Sequence, residues 1–170
     1  MPVQRLNHAV LYVRDVDRSV AFYTDVLGFR TTQTIPGRAA FLQAEGSSND
    51  HDLGLFAVGG GAAASTAGRS TVGLYHLAWE VDTLGELERL MHRLADAGAL
   101  VGASDHGTTK ALYAQDPDGL EFEVSWLVPA DHLPVEAGPL TAPLELAREI
   151  DRYGRDLPGG VGVSHAVPSA

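Results

Sequence analysis

The sequence predicts an α+β protein of two β-α-β-β-β modules followed by a C-terminal helical extension. The first observation is an internal repeat: residues 75–83 (YHLAWEVDT) match residues 7–15 (NHAVLYVRD), with His76 placed 68 positions after His8. The second is that each copy precedes a helical pattern and then three short strand-like runs. The third is a flexible glycine- and alanine-rich linker at 59–68. These observations divide the chain into modules at 1–64 and 65–128 and an extension at 129–170.

The predicted elements follow in order from each repeat copy. Helices are expected at about 17–27, with Val20, Phe22, Tyr23 and Leu27 inward, and at about 84–97, where Leu87, Leu90, Met91 and Leu94 recur every three or four residues. Gly28 and Gly98 stand where left-handed C-cap residues are expected. The strands that follow are predicted at 30–35, 39–43 and 52–58 in the first module, and at 99–102, 110–115 and 120–127 in the second.

A turn and a changed pattern close the second module. Asp116-Pro117-Asp118-Gly119 predicts a tight turn because proline fixes φ and glycine accepts positive φ. Beyond Trp126 the sequence predicts an extended loop at 129–138, one amphipathic helix within 140–153, and a loose tail from 154 onward. The helix presents Leu144, Leu146, Ala147 and Ile150 on its apolar side, and it either packs across a protomer interface or caps its own chain.

Composition excludes several classes of function. The 170 residues carry 22 acidic and 12 basic side chains, a net charge of −10, without the basic stripe that a nucleic-acid partner requires. No apolar run reaches the roughly 20 residues of a membrane helix, and no secretion signal is recognised, so a cytoplasmic protein is expected. With no cysteine, any metal must be bound by imidazole and carboxylate.

The repeat indicates two candidate metal ligands. A single histidine on a strand is more often a satisfied core or surface residue than a ligand, but His8 and His76 occupy matched positions, and pairing of the modules would bring them to one cleft. The third ligand should be a carboxylate on a late strand, where Glu121 and Glu123 share one face. Burying a carboxylate is costly unless it is paired or metal-bound. For Glu121 a solvated face is the preferred interpretation.

The strands that carry His8 and His76, together with the turn at Asp116-Pro117-Asp118-Gly119 and the Leu120-Glu121-Phe122-Glu123 stretch after it, resemble the vicinal oxygen chelate superfamily. The superfamily includes glyoxalase I, extradiol dioxygenases, fosfomycin-resistance enzymes and bleomycin-binding proteins. The resemblance covers about residues 6–127. It implies that the modules form an incomplete mixed β-barrel around the metal and that Glu123 is the third ligand.

Further residues resemble the extradiol branch. The first-module counterpart of Glu123 falls within 53–56 (LGLF), which offers no ligand, so three protein ligands remain and match the two-histidine-one-carboxylate set of non-haem Fe(II) oxygenases. His51 resembles the acid–base histidine, Tyr113 the active-site tyrosine ten positions before the glutamate, and His106 the histidine upstream of that tyrosine. Non-catalytic roles stay open for these residues: Tyr113 as a core residue, and His51 and His106 as loop residues.

The leading hypothesis is an extradiol dioxygenase that opens a catecholic aromatic diol with Fe(II) and O2, Mn(II) being able to serve the same ligands. A glyoxalase-like isomerase or epimerase using Ni(II), Zn(II) or Co(II) is the second hypothesis. The third is a metal-free module that sequesters a small molecule, in the manner of bleomycin-binding relatives. The resemblance also implies a homodimer.

Overall fold

The computed structural model describes residues 2–3, 5–68, 70–133 and 141–160. The chain forms two compact units: unit 1 comprises Met1–Thr66 and Asp116–Gly119, and unit 2 comprises Ala67–Gln115 and Leu120–Ala170. Each unit holds one open mixed sheet, and three α-helices lie in the described part of the chain, so the predicted α+β class is confirmed. Among the described residues, no helix has the length and apolar character needed to cross a membrane.

Unit 1 has the order β-α-β-β-β. Its elements are β1 (Ala9–Val13), α1 (Val16–Asp25), β2 (Arg30–Ile35), β3 (Ala39–Gln43) and β4 (Leu53–Ala57). The sheet order is β1-β4-β3-β2, with β1 parallel to β4 and the other pairs antiparallel. Asp15 caps α1, because its side chain accepts hydrogen bonds from the backbone N–H groups of Asp17 and Arg18.

Fewer residues of α1 are fully buried than the sequence predicts. Tyr23 is fully buried, whereas Val20, Phe22 and Leu27 are only half-buried. The helix ends at Asp25, so Leu27 lies beyond it and does not follow the helical period. Gly28 then adopts a φ of 80°, the left-handed conformation expected at this position.

The Asp116–Gly119 turn is part of unit 1, where its two carboxylates have specific partners. Asp118 accepts hydrogen bonds from the backbone N–H of Arg14 and from its Nη1, each at 2.8 Å. Tyr23 donates its hydroxyl to the buried carboxylate of Asp116 at 3.3 Å. Gly119 has a φ of 82° and donates its N–H to the Asp116 carbonyl at 2.9 Å, which confirms the predicted turn. The turn therefore stabilises unit 1 through buried polar contacts.

Unit 2 repeats the same order and adds a C-terminal part. Its elements are β5 (Leu77–Glu80), α2 (Leu84–Asp96), β6 (Leu100–Asp105), β7 (Thr109–Gln115), β8 (Glu121–Leu127), a 3-10 turn (Ala130–His132), β9 (Ala142–Pro143) and α3 (Leu146–Tyr153). The sheet order is β5-β8-β7-β6-β9, and β5 runs parallel to β8. The buried residues of α2 include Leu87, Leu90 and Leu94, as the periodicity predicts. Each such side chain contributes about 1.5–3 kcal/mol on burial.

The predicted C-terminal helix is present within 140–153. The helix begins at Leu146, and residues 142 and 143 instead form β9, which pairs with β6 through Ala142 and Asp105. Pro143 has no N–H to give to a helix, which favours the extended pairing. On α3, Leu146 is buried and Ile150 is half-buried, as predicted. Ala147 is instead exposed and Glu149 is buried, because Glu149 forms an ion pair with a buried lysine of the sheet. The helix packs on α2 of its own chain. Residues 134–140 and 161–170 of the predicted loop and tail lie outside the described residues.

Candidate active site

The best-defined pair of candidate ligands lies in unit 2. His76 directly precedes β5, and Glu123 lies in the middle of β8. Because these strands run parallel with Ala78 opposite Glu123, the two side chains meet: His76 Nε2 lies 3.4 Å from Glu123 Oε2. Glu123 is buried, with 9% of its surface exposed, whereas Glu121 on the same strand is exposed as expected.

This pair fits a divalent cation. Two donor atoms that each lie about 2.1 Å from one ion are separated by about 3.0–3.4 Å, which matches the observed spacing. A buried carboxylate also favours a cationic partner. The buried Nδ1 of His76 has no hydrogen-bond partner among the described residues, so the ring is held mainly by packing and by this contact. Within either unit taken alone, the described residues contain no group of three or more His, Asp or Glu side chains arranged to hold a metal.

Tyr113 adjoins the carboxylate of this pair. It lies on β7 directly opposite Glu123 on β8, and its ring centroid is 5.9 Å from that of His76. Burial, together with the charge and hydrogen bond of Glu123, raises the pKa of Tyr113 above its ordinary value. The phenol therefore stays protonated at neutral pH and can donate a hydrogen bond.

His106 completes this group from the turn between β6 and β7. Its Nε2 lies 2.8 Å from the hydroxyl oxygen of Tyr113. The direction of this hydrogen bond depends on which ring nitrogen of His106 carries the proton. His106, Tyr113, Glu123 and His76 thus form one connected group in unit 2.

Unit 1 brings together the other two predicted histidines. His8 directly precedes β1, just as His76 directly precedes β5, so the two repeat copies place histidine at the same position relative to the strand. The ring centroid of His8, an exposed residue, lies 4.6 Å from that of His51, whose side chain is 18% exposed. His51 precedes β4 and packs against the edge of Phe41.

The Asp50 carboxylate orients His51. Its Oδ2 lies 3.0 Å from His51 Nδ1, and this hydrogen bond is the main cause of a lowered pKa for Asp50. With Nδ1 engaged by the carboxylate, Nε2 is the ring atom that can exchange a proton with a bound molecule.

The site also contains residues that sequence reasoning missed. Lys110 is 1% exposed and forms ion pairs with Asp105 and Glu149, and Thr141 lies beside His106. A lysine within an otherwise apolar strand run was the available signal for the first of these. Nothing in the local pattern marked Thr141 or Glu149.

Taken together, the β-α-β-β-β order repeated in both units and the histidine–carboxylate group are those expected of the glyoxalase fold. The profile of the Glyoxalase/Bleomycin resistance protein/Dioxygenase superfamily matches residues 5–124. The chain belongs to this superfamily.

Individual relatives of this chain include two proteins that are named as dioxygenases. The chain is 34% identical over 119 residues to catechol-2,3-dioxygenase of Bacillus subtilis, which covers 70% of this chain and 40% of that protein. It is 35% identical over 122 residues to biphenyl-2,3-diol 1,2-dioxygenase 3 of Rhodococcus globerulus, covering 71% of this chain and 62% of that one. The chain therefore spans less than two thirds of the length of both. Lactoylglutathione lyases are among the further matches.

Solved structures agree on the fold. A glyoxylase/bleomycin resistance protein/dioxygenase domain from Frankia sp. EAN1pec matches with a TM-score of 0.64 and 25% identity, covering 78% of this chain and 98% of that domain.

Proposed function

We propose that this chain is an extradiol-type dioxygenase, which uses one Fe(II) and O2 to open a catecholic aromatic ring beside its diol. The observation that carries the proposal is the group in unit 2, where a histidine–glutamate pair adjoins a tyrosine that is hydrogen-bonded to a second histidine. The sequence identity of 34–35% to two dioxygenases of aromatic diols supports it.

His76 and Glu123 are the proposed metal ligands, and His8 is the third, because the repeat gives it the same position relative to its strand as His76. These three side chains make up the two-histidine-one-carboxylate set. When bound, Fe(II) would supply Lewis acidity toward the diol and open positions for the diol and O2.

His51 is the proposed acid–base residue. A neutral imidazole has one ring nitrogen that accepts a proton, so His51 can take a proton from a diol hydroxyl and return it later to a product oxygen. Asp50 holds Nδ1, which assigns this exchange to Nε2. The same ring atom of His51 would therefore accept the proton and later return it.

Tyr113 and His106 are the proposed substrate-orienting pair. The raised pKa of Tyr113 keeps its hydroxyl a donor toward an anionic substrate oxygen. His106 is hydrogen-bonded to the same hydroxyl, which fixes the position of the phenol oxygen. A substrate oxygen that replaces Glu123 as the acceptor would thus find its donor already oriented.

The test is oxygen uptake by protein loaded anaerobically with Fe(II) and mixed with a panel of catechols. We expect coloured ring-fission products, and none from any catechol contradicts the proposal. His76→Ala and Glu123→Gln should lose bound metal, whereas Tyr113→Phe and His51→Gln should retain it and lose turnover by about 10²-fold or more. His92→Gln, an exposed residue on α2, is the matched control and should retain both.

A lyase or isomerase of the glyoxalase type is the second candidate, because lactoylglutathione lyases also match. It predicts turnover with Ni(II), Zn(II) or Co(II) and no oxygen consumption. A metal-free binding protein is the third candidate, and metal analysis that finds no ion after loading would support it. Homodimer formation stays a prediction that sedimentation can test, as does replacement of Fe(II) by Mn(II).

A further inference from the structure

We propose that residues 141–153, called here the C-terminal segment, are a positioning element that holds His106 against Tyr113. The segment contains Thr141, β9 and α3, and it lies outside the stretch matched by the family profile, 5–124. The kinetic consequence of this inference rests on the proposed function, whereas its structural part does not. Two separate sets of contacts carry it.

The first set acts directly on His106. Thr141 Oγ1 lies 3.5 Å from His106 Nδ1, on the opposite side of the ring from Tyr113. The next residue, Ala142, pairs with Asp105, the last residue of β6 and the neighbour of His106. The imidazole is thus held between a threonine hydroxyl and a tyrosine hydroxyl, while its backbone is fixed by strand pairing.

The second set acts through a buried lysine. Lys110 Nζ lies 2.9 Å from Glu149 Oε2 on α3 and 2.5 Å from Asp105 Oδ1 at the end of β6. The Lys110 side chain is 1% exposed and that of Glu149 is 6% exposed. Although burial raises the pKa of Asp105, the hydrogen bonds from Lys110 and the Gly107 N–H outweigh it, so the net pKa is lowered and the carboxylate stays charged. The helix is thereby joined to the turn that carries His106.

Such a buried charged group is a poor device for stability alone. Desolvation of three charges offsets most of their attraction, so apolar side chains of similar volume would stabilise the fold as well. What the ion pairs add is position, because the Lys110 ammonium lies between the carboxylates of Asp105 and Glu149 and so joins α3 to the end of β6. Asp105 in turn accepts the backbone N–H of Gly107 at 2.7 Å, so the turn on both sides of His106 is constrained.

The inference gives the hydrogen bonds of this group one common direction. If the Thr141 hydroxyl donates to Nδ1 of His106, the ring proton lies on Nε2 and is given to Tyr113, which gives its own proton to Glu123. Thr141 is therefore a positioning residue that sets the tautomer of His106. Glu149 is a second positioning residue, which sets the location of the turn that carries His106. Neither is proposed to touch substrate.

The experiment uses the full-length protein without metal, labelled with ¹⁵N-histidine, and reads the His106 ring by NMR. The wild type should give the Nε2–H tautomer with a slowly exchanging ring proton. Thr141→Val and Glu149→Gln should each make that proton exchange at least about tenfold faster, and Thr141→Ser should restore it. In the Fe(II)-loaded protein, kcat should fall by about tenfold in both variants while KM stays within about twofold.

Glu88→Gln is the matched control. It removes the ion pair of Glu88 with Arg155, which also attaches the C-terminal part to α2 but does not reach the His106 turn. The control should leave the His106 signal and kcat unchanged. Folded Thr141→Val and Glu149→Gln proteins with a wild-type His106 signal overturn the inference, as does an equal effect in Glu88→Gln. If Thr141→Val and Glu149→Gln alter the His106 signal but the wild type takes up no oxygen, the positioning role is supported and the proposed dioxygenase function is contradicted.

Discussion

Replacing Asp118 by alanine is expected to lower the free energy of unfolding by about 2–4 kcal/mol. The Asp118 side chain is 8% exposed, and its two oxygens accept from the backbone N–H and from the guanidinium of Arg14. Alanine removes both acceptors and leaves the N–H of the half-buried Arg14 without this partner. The loss therefore has a backbone part and a side-chain part.

The magnitude of each part follows from its environment. A hydrogen bond from a backbone N–H to a charged acceptor contributes about 1.5–3 kcal/mol. The ion pair contributes up to about 1 kcal/mol, because 30% of the Arg14 side chain is exposed to solvent. A total near 3 kcal/mol corresponds to a fall in Tm of about 6–12 °C for a chain of this size.

A double-mutant cycle with Arg14→Met separates the two parts. Urea unfolding followed by circular dichroism gives the free energies, since both tryptophans lie outside unit 1. In the Arg14→Met background, which retains the backbone N–H, Asp118→Ala should still cost about 1.5–3 kcal/mol. Asp131→Ala, at a side chain that is 80% exposed, is the control and should shift stability by less than about 0.5 kcal/mol. A cost below about 0.5 kcal/mol for Asp118→Ala, or one that vanishes beside Arg14→Met, refutes the reasoning.

Three further perturbations test other parts of the fold. Burial, and then the charge of Asp116, raise the pKa of Tyr23 well above 10.0 in the folded protein. The protonated Tyr23 therefore contributes its full stabilisation below about pH 10, and this stabilisation is lost as the pH rises toward the folded-state pKa. Urea midpoints should thus fall more between about pH 8 and pH 11 in the wild type than in Tyr23→Phe, and parallel curves would contradict this assignment. Gly159→Ala should destabilise unit 2 by about 2 kcal/mol or more, because a Cβ there would overlap the Trp126 indole; an unchanged tryptophan-fluorescence midpoint would exclude that overlap. Leu87→Ala, at a side chain with 0% exposure, should cost about 2–5 kcal/mol in the same assay, and a cost under 1 kcal/mol would mean that the α2 face is not the core.

The parts of the fold that the sequence predicted well are those whose signals are local. The strands Arg30–Ile35 and Ala39–Gln43 begin and end where expected, because they flank a turn with its own glycine. The helix Leu84–Asp96 matches its period, since each buried position is apolar. In the C-terminal helix the periodicity predicted the buried Leu146 but missed Glu149, which is polar in sequence and buried in structure.

The candidate site was predictable to a similar extent. The repeat alone led to His8 and His76, and the resemblance to a family led to His51 and Tyr113. The residues that support the site were not predictable, because their partners are distant in sequence: Glu149 acquires its role only when α3 approaches β7. The register of β7 against β8, which sets Tyr113 opposite Glu123, likewise depends on tertiary packing.

The placement of the Asp116–Gly119 turn in unit 1 has a consequence for chimeric proteins. A recombination point in the glycine-rich linker would separate Arg14 and Tyr23 from the acceptors that their donors require. A functional exchange of the N-terminal half with that of a relative must therefore transplant the four-residue turn as well. The same dependence would apply to a gene duplication, because a copy of the first half alone would contain Arg14 and Tyr23 without the carboxylates that accept their hydrogen bonds.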